Sequence, residues 1–321
     1  MTQRAAERLP RIVYLGGFGR SGSTLIERLL GELPGVCAIG EAVHMWHRGI
    51  VDGERCGCGE PFPACAFWRR VGDTGFGGWD RVDAGRVARL RSAVDRNRFI
   101  PFLAGPALRP GFRRELDEYL SYYQRLYTAA GEVSGSHAIV DSSKHASLAF
   151  CLRRSPHLDV RVVHVVRDSR AVAHSWTTQV TRPDADAASL MRTYAPVTSA
   201  AHWNAQNLAL HTLARMGTPL LRVRYEDLAA DPEAVLRDIA AFAGLHADIS
   251  AMRFLGGDPG GRWAELRPAH TASGNRMRFT TGRIAIKRDE RWRAAMPAAQ
   301  RLAVTTLTFP LLKRYGYVQR P

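Results

Sequence analysis

What the sequence lacks narrows it before any motif is read. No apolar run approaches the ~20 residues that span a bilayer, so no integral membrane segment is expected. The opening MTQRAAERLPR passes into an apolar strand at Ile12 with no hydrophobic leader core, which predicts a cytoplasmic protein. Five cysteines (Cys37, Cys56, Cys58, Cys65 and Cys151) are an odd set without an export signal and do not read as a disulfide framework. Internal repeats and low-complexity linkers are missing too. Lysine is scarce: Lys144, Lys287 and Lys313 are the only three among 45 Lys and Arg.

What is there fits a folded α/β protein. The 321 residues are 45% hydrophobic and 23% charged, a balance that excludes disordered and fibrous classes. The formal charge of +15 favours an anionic ligand, whether nucleotide, nucleic acid, acidic lipid or sulfated product. An arginine-rich genome bias accounts for such a surplus equally well, so placement of the charges must decide. No basic helix carries base-reading side chains and no aromatic-basic stacking platform is visible, so nucleic acid is not an expected partner.

Strand-like runs occupy residues 11 to 18 (RIVYLGGF), 137 to 141 (HAIVD), 160 to 166 (VRVVHVV) and 218 to 225 (TPLLRVRY). A helix is expected from about Gly22 to Leu33, another through HASLAFCLRR, and a third after Asp231. There Asp231 is the N-cap, Pro232 takes the first helical position and Gly244 ends the helix. Alternating strands and helices imply right-handed crossovers and a parallel sheet. The expected architecture is a single domain, residues 1–321, with a P-loop-type central parallel sheet flanked by helices. Residues 45 to 135 read as a helical and loop insertion after the first βα unit, and 255 to 285 as loop. Such insertions at strand ends commonly build the substrate site.

The first strand runs into GGFGRSGST, and Gly17 to Thr24 match GxxxxGx[ST]. Gly17, Gly19 and Gly22 let backbone N–H groups approach an anion, Ser21, Ser23 and Thr24 add hydroxyls, and the helix start adds partial positive charge. A ligand-free tight turn is the plainer alternative. The slot after Gly22, where a nucleotide-hydrolysing loop holds lysine, is Ser23, and the nearby cation is Arg20.

GGFGRSGSTLIERLL resembles the 5′-phosphosulfate loop of sulfotransferases that use 3′-phosphoadenylyl sulfate (PAPS), specifically the bacterial, carbohydrate- and tyrosylprotein-like branch. VVHVVRDSRAVAHSW at 162 to 176 resembles that family's 3′-phosphate element, which implies Arg167 and Ser175 as contacts. Read alone, Arg167 begins a helix capped by Asp168 or Ser169. VRYEDLAADPEAVLRDIAAFAGL resembles the YE-x-L region and implies Tyr225 near the nucleotide. HTASGNRMRF at 270 to 279 resembles the late nucleotide-closing segment and implies Ser273, Asn275 and Arg278. The four elements stand in the family's order over residues 12 to 279.

The resemblance implies PAPS as co-substrate, a hydroxyl acceptor (glycan, glycolipid or small molecule) and no required metal. For the cation at the leaving oxygen the candidates are Lys144, at a strand end, and Arg20; Lys144 also reads as an ordinary first-turn lysine. For the base, family spacing implies Glu41, with His44 and His47 as rivals and a purely structural carboxylate as the alternative. A second functional reading is a P-loop small-molecule kinase with Asp141 holding magnesium. In DGERCGCGEPFPACAFW, the thiols of Cys56, Cys58 and Cys65 read as a small disulfide knot or packed thiols. A zinc set completed by His47 or Cys37 is disfavoured by the spacing. Oligomeric state is left open, a homodimer included.

Overall fold

The computed structural model describes residues 11–179, 192–245, 249–258 and 261–318. The opening residues 1–10, on which the expectation of no leader rested, lie outside the described residues. Five strands form the central sheet: β1 (Arg11–Gly16), β2 (Val36–Gly40), β3 (Ala138–Lys144), β4 (Asp159–Val166) and β5 (Leu220–Arg224). Their order is β2-β3-β1-β4-β5 and every pairing is parallel. The principal helices are α1 (Ser23–Leu30), α2 (Ala66–Phe76), α3 (Ala84–Val94), α4 (Pro110–Ser134), α5 (Ala146–Leu152), α6 (Ser169–Thr177), α7 (Pro196–Arg215), α8 (Pro232–Ala243) and α9 (Ala298–Arg314).

The near-continuous apolar strands follow from burial on both faces. Along β1, Ile12 and Tyr14 point to one side, where they join Ile39, Ile139, Val162 and the helical residues Trp68, Leu90, Tyr119, Phe150 and Leu210. Val13 and Leu15 point to the other and meet Val140, Val163 and Val165, with Ile26 and Leu29 of α1 and Leu236 and Ile239 of α8. The β1–β4 register is fixed at its open end by Arg11 on Asp159, 2.8 Å apart. α8 keeps its expected ends: the Asp231 carboxylate accepts from Ala234 N–H at 3.1 Å, and Gly244 closes it in left-handed geometry at φ 62°. α9 covers α6 and α7 through Val304 and Leu311, packed on Ala173, Ala200, Val172 and Trp203.

Two expectations are corrected. β2 is a strand that the apolar runs did not reveal, because VCAIG is short and carries few β-branched residues. The insertion of 45 to 135 therefore follows the second strand, and α2 to α4 are the crossover from β2 to β3. Residues 255 to 285 are not loop throughout: β6 (Leu255–Asp258), β7 (Gly261–Leu266) and β8 (Gly282–Ile286) make an antiparallel sheet. Ala264, Leu266 and Ile286 bury one of its faces against the α1 side of the core. Glycines and arginines in those strands hide the alternation. Among the described residues, no helix is long and apolar enough to cross a membrane.

Candidate active site

The carboxyl ends of all five parallel strands, at Gly16, Gly40, Lys144, Val166 and Arg224, lie on one edge of the sheet, the expected ligand position in an open α/β fold. A cleft of about 880 Å³ opens there. It is lined by Gly17, Gly19, Arg20, Gly22, Ser23 and Thr24 of the loop, and by Glu41, Lys144, Arg167, Ser175, Tyr225 and Asn275. Six stretches of chain, from Gly17 to Asn275, thus converge.

The loop's glycines are required by contact. A Cβ on Gly17 would stand 2.4 Å from the Val165 carbonyl oxygen, and one on Gly22, at φ 93°, 2.4 Å from the Tyr225 ring. Trp176 Nε1–H donates to Gly19 O at 3.1 Å, and the Arg20 guanidinium lies over the Trp176 ring at 5.2 Å. Gln206, on α7, donates through Nε2 to Lys144 O at 2.7 Å and to Gly17 O at 3.5 Å, holding the ends of β1 and β3 together. Arg20 itself has φ 71°, a left-handed conformation unusual for a residue with a side chain. Ser21 is buried behind the loop rather than lining the cleft, and its Oγ has no hydrogen-bond partner among the described residues.

Arg167 reaches back to the same loop. Its Nη1 donates to Arg20 O at 3.0 Å, its Nη2 to the Asp289 carboxylate at 3.0 Å, and the guanidinium packs over the Tyr225 ring at 4.8 Å. Arg167 Nε is buried without a hydrogen-bond partner among the described residues. The Asp289 carboxyl is held far below the usual range, mainly by hydrogen bonds from Arg291 and then Arg167 that outweigh its burial. Tyr225 donates through its hydroxyl to Lys287 O at 2.7 Å. The helix-start alternative for Arg167 coexists with this: α6 begins two residues later, with the Asp168 carboxylate accepting from Arg170 N–H at 2.9 Å.

At the other end of the cleft Lys144 Nζ donates directly to Glu41 Oε1. Both side chains are 14% exposed. Lys144 is the last residue of β3, at φ 71°, so it is not a first-turn helical lysine. Burial pushes the Glu41 carboxyl up, but Lys144, His44 and Arg48 together outweigh it and hold it at about 2. The partner supplied by β3 thus reverses the sign that burial alone would give. His44 Nε2 stands 3.6 Å from Glu41 Oε2, and burial drives its imidazole well below the ordinary histidine range. His145 packs edge-on against His44 with ring centres 5.6 Å apart and lines the cleft as well. His47 does not: it is exposed and pairs with Asp52 at 3.0 Å.

Two residues of the late segment sit away from the opening. Ser273 is buried, at φ 53°, with its hydroxyl 3.3 Å from Glu54, and Arg278 is buried over the Phe279 ring at 4.6 Å. Neither lines the cleft, whereas Asn275 does, while its carboxamide also caps Met277 N–H at 3.1 Å. The segment gains its place because Ala272 pairs with the end of β2: its N–H donates to Ile39 O and its carbonyl accepts from Glu41 N–H, both at 2.8 Å. Asp141, the magnesium candidate of the kinase reading, is fully buried. It accepts from Tyr127 at 2.6 Å and from the Ser143 N–H and hydroxyl at 2.8 and 2.5 Å, and does not line the cleft. The thiols of Cys58 and Cys65 are 3.7 Å apart and form no disulfide. They gather with Cys56 around His270; His47 pairs with Asp52 instead, and Cys37 lies on β2.

Trp176, Gln206, His145 and Arg48 are cleft residues that sequence reasoning missed. Trp176 ends the quoted stretch 162 to 176 and was within reach of a motif argument. Gln206 is a mid-helix glutamine with no local signal.

A family model described as the sulfotransferase family matches residues 112–248. That range holds Lys144, Arg167, Ser175 and Tyr225, and does not include the glycine loop. The chain is 28% identical over 204 residues to carbohydrate sulfotransferase 5 of Mus musculus, covering 57% of this chain and 49% of the relative, so it spans about half the relative's length. Among solved structures, the sulfotransferase domain from the curacin biosynthetic pathway aligns over 95% of this chain and 98% of its own, at 15% identity and TM-score 0.48. Sulfotransferase STF9 from Mycobacterium avium aligns over 95% and 77%, at 14% identity and TM-score 0.43. Over the segment that carries β3 to β5 and their cleft residues, the chain is similar in sequence to the sulfotransferase family.

Proposed function

We propose that the protein transfers a sulfuryl group from PAPS to a hydroxyl of a glycan, glycolipid or polar small molecule. The observation that carries this reading is the pairing, in one cleft, of a lysine-free anion loop with Arg167, just past the end of β4, and Ser175 of α6. A donor with a 5′-phosphosulfate and a separate 3′-phosphate needs two such positions. Gly17 to Thr24 would take the phosphosulfate through loop N–H groups and hydroxyls, and Arg167 with Ser175 the 3′-phosphate. Arg167 Nε, a buried donor of a cleft residue without an acceptor among the described residues, fits an anionic occupant. The donor-side roles of Ser273 and Arg278 are indirect in this reading, through the placement of Asn275.

The transfer is an in-line displacement. A bond forms from the acceptor oxygen to sulfur as the bond from sulfur to the bridging phosphate oxygen breaks, and 3′,5′-ADP leaves with the electron pair. The acceptor proton goes to Glu41. Lys144 connects the two events: bound to Glu41 it holds that carboxylate weakly basic, and drawn to the leaving oxygen it releases Glu41 to rise under burial. Arg20 assists at the same oxygen. The wall opposite the donor carries Arg48, Glu54, Asp95, Arg96 and Asn97, a polar surface suited to a hydroxyl-rich acceptor. The name of the mouse relative points the same way. Asp141, enclosed by Tyr127 and Ser143, speaks against the kinase reading.

The test is titration calorimetry with 3′,5′-ADP and with ATP plus magnesium, then transfer of labelled sulfate from PAPS to an oligosaccharide panel. Micromolar binding of 3′,5′-ADP and label in a glycan support the proposal. Absence of heat with 3′,5′-ADP, or tighter binding of magnesium ATP, overturns it.

A further inference from the structure

Where the late segment runs up to its pairing with the carboxyl end of β2, a turn and a helix start meet it at four soft-metal ligands. Cys56 Sγ, Cys58 Sγ, Cys65 Sγ and a His270 ring nitrogen all lie within 4.8 Å of one another. The individual separations are 3.7 Å between Cys58 and Cys65, 3.8 Å between Cys56 and His270 Nδ1, and 3.3 Å between Cys65 and His270 Nδ1. A disulfide requires sulfurs about 2.05 Å apart. A tetrahedral zinc ion with Zn–S of about 2.3 Å and Zn–N of about 2.0 Å sets S···S edges of about 3.8 Å and S···N edges of about 3.5 Å. The three distances lie within about 0.3 Å of those edges.

The local backbone is arranged for the same purpose. Cys56 N–H donates to Glu60 O at 2.7 Å and Gly59 N–H to Cys56 O at 2.8 Å, so the chain turns tightly and presents two thiols from C-x-C. The intervening Gly57 lies flat on the late segment: its N–H donates to Thr271 O at 2.9 Å, and a Cβ there would meet the Ala269 carbonyl at 2.6 Å. Cys65 arrives at the N-cap of α2. Phe67, two residues on, stacks on the His270 ring with centres 5.0 Å apart and planes 14° from parallel, which orients Nδ1 toward the sulfurs. His270 keeps an exposed face, giving an ion a path in.

We propose that Cys56, Cys58, Cys65 and His270 bind one zinc ion as a closed structural site. Such a site has four protein ligands and leaves no position for substrate. Its work is to clip residues 269–275 to the crossover, two residues from the point where Ala272 joins β2 and Glu41 is set. Zinc thereby positions the cleft's late wall without taking part in transfer. The proposal stands whether or not PAPS is the donor.

The test uses the full chain, expressed tag-free with zinc in the medium and purified under reducing conditions. Elemental analysis is expected to find about one zinc per chain, released when a mercurial titrates the thiols. Cys58→Ser and His270→Ala are expected to lower the bound zinc at least about tenfold, while His270→Cys keeps it as a four-thiolate site and Cys37→Ser and Cys151→Ser leave it unchanged. Should a cluster variant not fold, cobalt exchanged into the wild-type chain reports instead, through thiolate-to-metal charge-transfer absorption. Wild-type protein without near-stoichiometric zinc, cobalt lacking that absorption, or a Cys58–Cys65 disulfide in protein isolated without reductant each overturns the proposal.

Discussion

Glu27 lies on α1 directly behind the anion loop, 2% exposed, and accepts from Ser142 Oγ at 2.6 Å while its other oxygen has no partner among the described residues. Burial raises its carboxyl from 4.5 to about 7, against the opposing pull of Ser142 and Lys144. The folded state therefore holds a proton between pH 4.5 and 7 that the unfolded chain releases. The sign follows: this group's contribution is fully present below pH 4.5 and is lost as pH rises through 7. A rise of about 2.5 pH units corresponds to roughly 3 kcal/mol of stability removed by pH 8. Glu27→Gln keeps an acceptor for Ser142 and cannot ionise. Urea unfolding of both proteins at pH 5 and pH 8 checks this. The wild type is expected to lose roughly 2 to 3 kcal/mol more than the variant across that interval, part of the effect having passed below pH 5, and contributions such as Asp141, raised by burial to about 6, cancel in the difference. Binding of 3′,5′-ADP is expected to weaken above pH 7 in the wild type and less so in the variant, because an ionised Glu27 opposes an anion in the loop. Parallel pH dependences of stability in the two proteins would refute the reasoning.

Lys144→Met removes the cation that offsets burial at Glu41, so the acidic limb of the pH–rate profile is expected to move upward while kcat falls by about 10² or more; an unmoved limb argues against the pair. Glu41→Gln is expected to lower kcat far more than His44→Ala, and the reverse ranking in initial rates would make His44 the base. Arg167→Met is expected to weaken 3′,5′-ADP by roughly tenfold to a hundredfold in calorimetry, the range for losing a charge-assisted bond. Gly40→Ala would place a methyl 2.1 Å from the Ala272 carbonyl at a residue with φ 85°, and a large fall in melting temperature is expected.

The parallel sheet was legible because strands buried on both faces are written as apolar runs, a signal that β1, β4 and the start of β3 carry; β5, an edge strand with only Val223 buried, was legible from its Leu and Val residues. The helix ends at Asp231 and Gly244 were legible because capping chemistry is local. β2 and the antiparallel sheet were not: VCAIG is too short, and Arg262 and Arg283 interrupt β7 and β8. At the site, the loop and Arg167 could be named from motifs, since each sits at the end of its own strand. The Glu41–Lys144 contact spans 103 residues, and His270 joins Cys65 across 205. No spacing rule reaches that far, so the sign of the Glu41 shift and the identity of the fourth soft ligand both required the fold.

Among the described residues, only Arg20, Lys144 and Ser273 hold a side chain in the left-handed backbone region; Arg20 and Lys144 line the cleft, and Ser273 is buried in the late segment behind it. Each such conformation costs about 1 kcal/mol that glycine would not incur. Heat-based enrichment of variants would therefore drift toward glycine at these positions, hardening the molecule while erasing two of its proposed reacting cations. Screens for robustness and screens for turnover should consequently part company at the same three codons.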